Sequence, residues 1–545
     1  MAGKDSTLSE HSKTVARGSF WSLIGSVLFR LSSFVYVIIL ARFASQNDVG
    51  IFYLALSILS IVTVFSDLGV SGSFLRYVPF FEGKDQRGKI RDLIRISYTY
   101  LTAVSILMMV ILLFGADAIG AIYQNARLPD AIKILSVYIL IGNIFRINYL
   151  YMQGTADIKS SQLYQNIQNF LKMAITVVLF FVFGPSLAAI CMAFVFSFMC
   201  ALLLSSPAII RAISSLQGED RLGSEELFHE IVPLGIMIAV LQYFSLIISS
   251  ADRLVLGYLT PPADAAALIA IYSFGTTLAS VLMTFPGAVG GIFFPVVSKL
   301  AGKGDMESLR DVMSTSQRWS LFITLPIAVI MIVFGADMMH VFYGASYASG
   351  GAVMAIFTLG LVFSSLTYTQ SLALAAMRLV KIELLISGIS CVVNVILLVI
   401  LIPVLGMEGA ALAGFACFFT SFVLLQYYGQ KILGFHQPKE AYKLLLSALL
   451  TFLIVLLLKP FASSTTSLLL SRFGSSGDLL SKAAYLMYLG VMIAFAGLFF
   501  IAFSLLMRCF KGEDIELMEK TMGKIWIPRR LISLAARIAS YGVAG

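Results

Sequence analysis

Arg30, Arg146, Lys172 and Arg253 each stand inside a stretch of sequence that is otherwise almost wholly apolar. A charge at the centre of a membrane helix costs about 2.5–3.5 kcal/mol on insertion scales, so such residues face protein or water and not lipid. A cation held there can bind an anion. Arginine offers a planar fork that matches two oxygens of a phosphate, and lysine offers a point charge. Three of the four lie before residue 215, and that part of the chain sets one intramembrane acid against them, Asp67.

Spacing suggests how these groups point. Gln162, Gln165, Asn169 and Lys172 fall at i, i+3, i+7 and i+10, and Asn143, Arg146 and Gln153 follow a similar rule, which draws polar stripes on apolar helices. Counted from Gly18, Arg30 lies about 18 Å into its helix, too deep to snorkel easily. Asp252 and Arg253 are adjacent and point about 100° apart, which suits an outer gate or an interface pair better than a mutual ion pair. A purely structural reading stands beside the functional one: Arg30 paired with Asp67, Arg146 on backbone carbonyls, and the amides joining helices. Asp67 pairs with Arg30, titrates in a proton-coupled cycle, or simply ends its helix.

The elements that must position these residues follow from composition. The chain has 545 residues, 59% hydrophobic and 12% charged, with a mean hydropathy of +0.92. That profile predicts an all-α integral membrane protein. Fourteen apolar stretches are read at 18–40, 49–71, 95–116, 131–152, 162–183, 186–208, 231–259, 266–294, 316–336, 349–376, 382–404, 407–430, 441–463 and 482–508. The first follows a polar leader with no small-residue cleavage site, which predicts a retained helix.

Most of the 38 Lys and Arg fall in the tails and even-numbered connections. The positive-inside rule then predicts a multi-pass protein of the plasma (cytoplasmic) membrane with both termini cytoplasmic. The net charge of +9 is thereby mostly topology and predicts no nucleic-acid partner. The second connection is basic through Arg76, Arg87, Lys89, Arg91 and Arg95. It anchors topology, and Arg76 and Arg91 are candidates for recruiting an anionic headgroup.

Chemistry on covalent bonds is not indicated. The external connections are short, there are four histidines, and no Gly-rich phosphate loop or H-E-x-x-H pattern occurs. The five cysteines lack metal-ligand spacing. The expectation is a protein that is not an enzyme, with no cofactor and no metal.

A repeat organises the spans. FGAD occurs at Phe114 and again at Phe334, and the pattern G-K-x6-R-D begins at Gly83 and again at Gly302. The offset of about 220 maps spans one to six onto seven to twelve. The prediction is two parallel six-helix repeats, an N-lobe at 1–215 and a C-lobe at 216–440, then two helices at 441–510 and a basic amphipathic cytoplasmic tail at 511–545. In this register Lys172 falls opposite Asn394, so the copies share a scaffold and differ in charge. Asp117 and Asp337, closing each FGAD, are expected at the external face as hydrated scaffold residues.

LARFASQNDVGIFYLA from Leu40, DLGVSGSFLRYVPFF from Asp67 and NVILLVILIPVLGMEGAALAG from Asn394 resemble signature stretches of polysaccharide flippases of the O-antigen and teichoic-acid type. These belong to the multidrug/oligosaccharidyl-lipid/polysaccharide exporter superfamily. The resemblance covers residues 1 to about 440. It implies a two-lobed bundle that moves a polyprenyl-diphosphate-linked oligosaccharide to the external leaflet by alternating access. The partners would be that lipid-linked substrate, membrane lipids and polysaccharide-assembly proteins.

On this reading Arg30, Arg146 and Lys172 contact the diphosphate, Gln165 and Asn169 the sugar hydroxyls, and Asp67, Asp252 and Arg253 serve a gate or ion coupling. A lipid II flippase and a cation-coupled multidrug extruder are the alternatives on the same fold. The extruder calls for buried acids, whereas an arginine- and lysine-biased N-lobe repels cationic drugs.

Overall fold

The computed structural model describes residues 2–509 apart from 68, 217, 219, 224, 226–228, 230, 378 and 473–477, and every regular element among the described residues is a helix. In chain order these are α1 (Ala2–Phe43), α2 (Gln46–Asp67), α3 (Val70–Gly83), α4 (Arg87–Ile122), α5 (Leu128–Gly154), α6 (Ile158–Phe183), α7 (Leu187–Ser215) and α8 (Val232–Leu259). There follow α9 (Pro262–Ser280), α10 (Thr284–Lys303), α11 (Met306–Val333), α12 (Gly335–Tyr343), α13 (Gly350–Ala376), α14 (Val380–Tyr428), α15 (Lys439–Arg472) and α16 (Asp478–Leu506). The tail predicted at 511–545 lies outside the described residues.

Among the described residues, thirteen segments are long and apolar enough to cross a membrane. A helix satisfies its own backbone, which is what the hydrocarbon demands of any lipid-exposed chain. The spans read at 382–404 and 407–430 both fall on one segment, Val380–Leu433. As a straight helix its 54 residues would run about 81 Å. It is not straight. Gly406 breaks it at φ 58°, ψ −130°, a conformation open to glycine, three residues after Pro403.

Short connections are closed by local side chains. Asp157 caps α6 by accepting from Ser160 N at 3.1 Å, Ser186 caps α7, and Asp305 caps α11 by accepting from Ser308 N at 3.1 Å. The Ser308 hydrogen bonds hold the Asp305 carboxyl below the usual carboxylate range.

Packing groups the chain into two compact units. One is built on Met1–Phe274 with Ser387–Ala413, the other on Gly275–Ile386 with Gly414–Gly545. This grouping follows contacts and runs across the sequence repeat, which compares residue patterns.

In the first unit α2 and α3 lie against α8 and α9 along a seam of small residues. A Cβ on Gly50 would sit 1.7 Å from Ala266 O, and one on Gly69 1.8 Å from Gly235 O. Close backbone approach of this kind replaces the hydrophobic drive that is missing in lipid. Gly69, at φ 86°, also turns the chain from α2 into α3. One end of the unit is packed by Phe74, Val78, Phe81, Ile90, Ile147 and Tyr151, a buried cluster that ties α3, α4 and α5 together.

The two copies of FGAD, the first in the first unit and the second in the second, show different fates. Phe114 lies within α4 and is 85% exposed, whereas Phe334 separates α11 from α12 and is fully buried. Asp117 is the hydrated residue expected, 73% exposed and paired with Lys133 at 2.8 Å. Asp337 is not: its side chain is 15% exposed, pairs with Lys459 Nζ of α15 at 2.8 Å, and accepts from the Tyr485 hydroxyl of α16. Lys459 also donates to Val333 O at 2.7 Å. The two helices beyond the repeat are thus fastened to its second copy, and that covering is what dehydrates the aspartate.

Candidate functional site

The site residues proposed from sequence lie in the first unit and are sorted there by what each helix packs against. α1 and α6 are joined by amides: Asn166 Nδ2 donates to Gly25 O at 3.1 Å, and Asn169 Nδ2 reaches Phe29 O at 2.9 Å, Ser32 Oγ at 2.6 Å and Ser33 Oγ at 2.8 Å. Gln162 is packed beneath Gly25. The contacts advance together along both chains, so the helices run parallel.

Measured from these contact residues at about 100° per residue, Arg30 lies roughly 115° round α1 in one sense, and Gln165 and Lys172 roughly 65–90° round α6 in the other. On a parallel pair, opposite senses lead to one flank. Arg30 is exposed there, and Gln165 and Lys172 are half-buried. Lys172 Nζ sits 4.4 Å from the centre of the Tyr36 ring, whose negative face attracts it.

The expected polar stripe on α6 is therefore divided. Gln162 and Asn169 are buried, and Asn169, with no exposed surface, belongs to the α1–α6 interface in this conformation and offers nothing to a sugar. The stripe on α5 divides in the same way. Asn143 donates to Ser105 Oγ at 2.8 Å and Gln153 to Tyr149, while Arg146 points elsewhere.

Arg146 meets Asp67, with Nη2 3.7 Å from Oδ2, and donates to Gln242 Oε1 of α8 at 3.4 Å. Asp67 ends α2 and its side chain is 1% exposed. A carboxylate at a helix C-terminus opposes the macrodipole, and a guanidinium beside it offsets that cost. The ion pair thus joins Asp67 to Arg146, not to Arg30. Arg146 keeps a third of its side chain open, at 32%.

Asp252 and Arg253 each turn to α9. The Tyr272 hydroxyl donates to Asp252 Oδ2 at 2.6 Å, and Arg253 Nε donates to Ser273 Oγ at 3.1 Å. The guanidinium of Arg253 lies 5.8 Å from the centre of the Tyr53 ring of α2. These two residues therefore link α2, α8 and α9 without forming a side-chain pair of their own. Arg76 is exposed beside Tyr77, and Arg91 is half-buried on α4. Among the described residues no group of three His, Cys, Asp or Glu side chains could hold a metal ion.

Sequence reasoning passed over Arg318 and Lys459. Arg318, two residues inside the ninth span, is 4% exposed and lies 3.4 Å from both Ser314 Oγ and Thr315 Oγ1. Lys459, inside the thirteenth, is the partner of Asp337. Both were within reach of a full tally of cations in apolar spans. The aromatic seats, Tyr36 and Tyr53, carry no such signal, because a tyrosine in a membrane helix looks like packing until its neighbour is known.

Comparison with known proteins places this geometry in context. The chain is 22% identical over 442 residues to an uncharacterized membrane protein of Methanocaldococcus jannaschii, covering 78% of this chain and 85% of that one. It is 27% identical over 160 residues to a probable low-salt glycan biosynthesis flippase of Haloferax volcanii, covering 29% and 34%. Its fold matches that of a lipid II flippase in an inward closed conformation, with a TM-score of 0.68 at 17% identity over 89% of this chain and 97% of that one. A family model described as "Polysaccharide biosynthesis protein" matches residues 39–350, a stretch that holds Asp67, Arg146, Lys172, Asp252 and Arg253. With more than half its length in that match, the chain belongs to the polysaccharide biosynthesis protein family.

Proposed function

We propose that this membrane protein is a flippase that carries a polyprenyl-diphosphate-linked oligosaccharide from the cytoplasmic to the external leaflet. Two six-helix lobes alternate in access, and both termini are cytoplasmic. The observation that carries this reading is the shared flank of α1 and α6, where Arg30, Gln165 and Lys172 stand together at membrane depth. A diphosphate leaving the headgroup layer loses hydration, and a cationic surface offsets that loss; arginine does so with two parallel hydrogen bonds.

Arg146, with one edge open beside Asp67, supplies a further contact. Gln165 is the amide available to sugar hydroxyls. Asp252 and Arg253, spanning α2, α8 and α9, form an outer gate. The polyprenyl chain stays in lipid. An excess of cations disfavours a cationic drug as cargo.

The test is reconstitution in liposomes with a fluorescent polyprenyl-diphosphate oligosaccharide, comparing wild type with Arg30→Ala and Lys172→Ala at equal folded abundance. The expected result is loss of at least tenfold in translocation for each variant, the effect of removing about 1.4 kcal/mol of binding. Normal rates in both variants would overturn the reading. Lipid II and a cationic dye, run in parallel, separate this cargo from the alternatives.

A further inference from the structure

The elbow joining α3 to α4 has an exposed surface apart from the residues assigned above to cargo. On α3 the outward residues are Leu75, Arg76, Pro79 and Phe80, all exposed, while Phe74, Val78 and Phe81 are buried behind them. On α4, Arg87, Arg91 and Arg95 recur every four residues and so share one face. Between residues 76 and 95 six cations stand against three acids. Of those acids Asp85 pairs with Arg87 at 3.0 Å, and Asp92 with Arg221 at 3.3 Å. Lys84 Nζ lies 4.2 Å from the centre of the Phe80 ring.

Exposed leucine and phenylalanine beside arginine suit neither water nor hydrocarbon alone. They suit the boundary between the two. The depth of the elbow agrees. Gly154, the last residue of α5, packs against Val78 and Phe74, so α3 runs only five residues, about 8 Å, past the end of α5. That is close to the thickness of one headgroup layer. Nearby, at the start of α6, Lys159 Nζ lies 5.3 Å from the Trp21 ring, an aromatic and cationic pairing of the type found at the membrane surface.

We propose that the α3–α4 elbow is a binding surface for anionic phospholipid headgroups of the bilayer leaflet in which it lies. Phe80 and Leu75 enter the acyl boundary, and the Arg87, Arg91 and Arg95 face collects phosphates beside it. Substrate is not the ligand here. The surface holds this end of the first unit in a layer of anionic lipid.

The experiment uses the full chain in nanodiscs of phosphatidylglycerol and phosphatidylcholine. A donor dye is placed at Gly83→Cys in a Cys200→Ser background, because a Cβ at Gly83 meets nothing within 4 Å and the remaining cysteines are buried. Energy transfer to trace acceptor-labelled phosphatidylglycerol is compared with transfer to acceptor-labelled phosphatidylcholine.

The expected result is about fivefold local enrichment of the anionic lipid, the effect of roughly one engaged surface cation, lost in high salt. Arg87→Gln, Arg91→Gln and Arg95→Gln combined abolish the enrichment, while the matching triple lysine variant keeps it and shows that the elbow still folds. Equal transfer to both lipids in the wild type, or enrichment that survives the triple glutamine variant, overturns the proposal. So does loss of enrichment with 1 mM inorganic diphosphate but not with chloride of equal ionic strength, which would mark a phosphate site in place of a lipid surface.

Discussion

Replacing Arg146 by glutamine removes the cation 3.7 Å from a carboxylate whose side chain is 1% exposed. At that separation two unit charges interact by about 4 kcal/mol at an effective dielectric of 20 and by about 1 kcal/mol in water. Because a third of Arg146 is open, the pair lies between these limits, and a coupling of about 2 kcal/mol is expected. The loss falls on Asp67, left charged at a helix C-terminus, and Asp67→Asn should therefore relieve most of it. A double-mutant cycle by SDS-titrated unfolding in mixed micelles measures this: Arg146→Gln destabilises, and Asp67→Asn combined with it returns stability to near that of Asp67→Asn alone. Additive effects, within about 0.5 kcal/mol, would refute the pairing. The stable double variant then isolates function. Translocation at least tenfold below that of Asp67→Asn alone would show that Arg146 also meets cargo, and translocation equal to that of Asp67→Asn alone would make Arg146 structural and remove it from the site.

Asn169→Ala should lower stability by about 1–3 kcal/mol, since it leaves the α1 backbone and serine contacts unmade, yet leave transport per folded molecule unchanged. Gln165→Ala should do the reverse, and reduced transport with normal stability in an Asn169 variant would contradict the assignment. Asp337→Ala should destabilise by about 2 kcal/mol through loss of the Lys459 and Tyr485 contacts, whereas Asp117→Ala, at the exposed copy, should change stability by less than about 1 kcal/mol; equal effects in thermal unfolding would refute the difference. Gly69→Ala should prevent normal folding, because its Cβ would meet Gly235 O at 1.8 Å and its φ is 86°, while Gly83→Ala should be tolerated. Detergent-resistant yield on size exclusion separates the two.

The helices were legible because a bilayer permits little else: about twenty apolar residues must be a helix, and thirteen such segments appear among the described residues. Direction within a helix was only half legible. The α6 stripe of Gln162, Gln165, Asn169 and Lys172 spans roughly 80° of arc, and the α1 interface falls across it, so two members bind α1 and two face outward. Nothing in a periodicity marks that dividing line. It depends on Gly25, whose missing side chain admits Gln162 on the neighbouring helix. The partner of Asp67 stayed open in the sequence for the same reason, since Arg30 and Arg146 present identical charge to a one-dimensional pattern and only the packing of α2 with α5 chooses between them. The repeat located the second FGAD but not its burial, which comes from α15 and α16, helices outside the repeat.

On the proposed function, the arrangement of these cations bears on how an anion could pass at all. A single cluster of unpaired cations deep in a membrane would bind a diphosphate tightly and release it slowly, and would be costly to fold without cargo. Here most of the charges carry a resident partner of moderate strength: Asp67 at 3.7 Å for Arg146, a tyrosine ring at 4.4 Å for Lys172, and a serine with a tyrosine ring for Arg253. None of these is a bidentate carboxylate contact. The neutral partners of Lys172 and Arg253 can be exchanged for a phosphate without leaving a bare charge behind, so there cargo costs little more than the difference between two similar interactions, whereas drawing Arg146 from Asp67 costs the roughly 2 kcal/mol coupling worked out above. Arg30, exposed on the α1–α6 flank, is the exception, and on this argument it is the first contact: its replacement should slow loading of cargo, while replacement of Lys172 or Arg146 should slow the steps that follow.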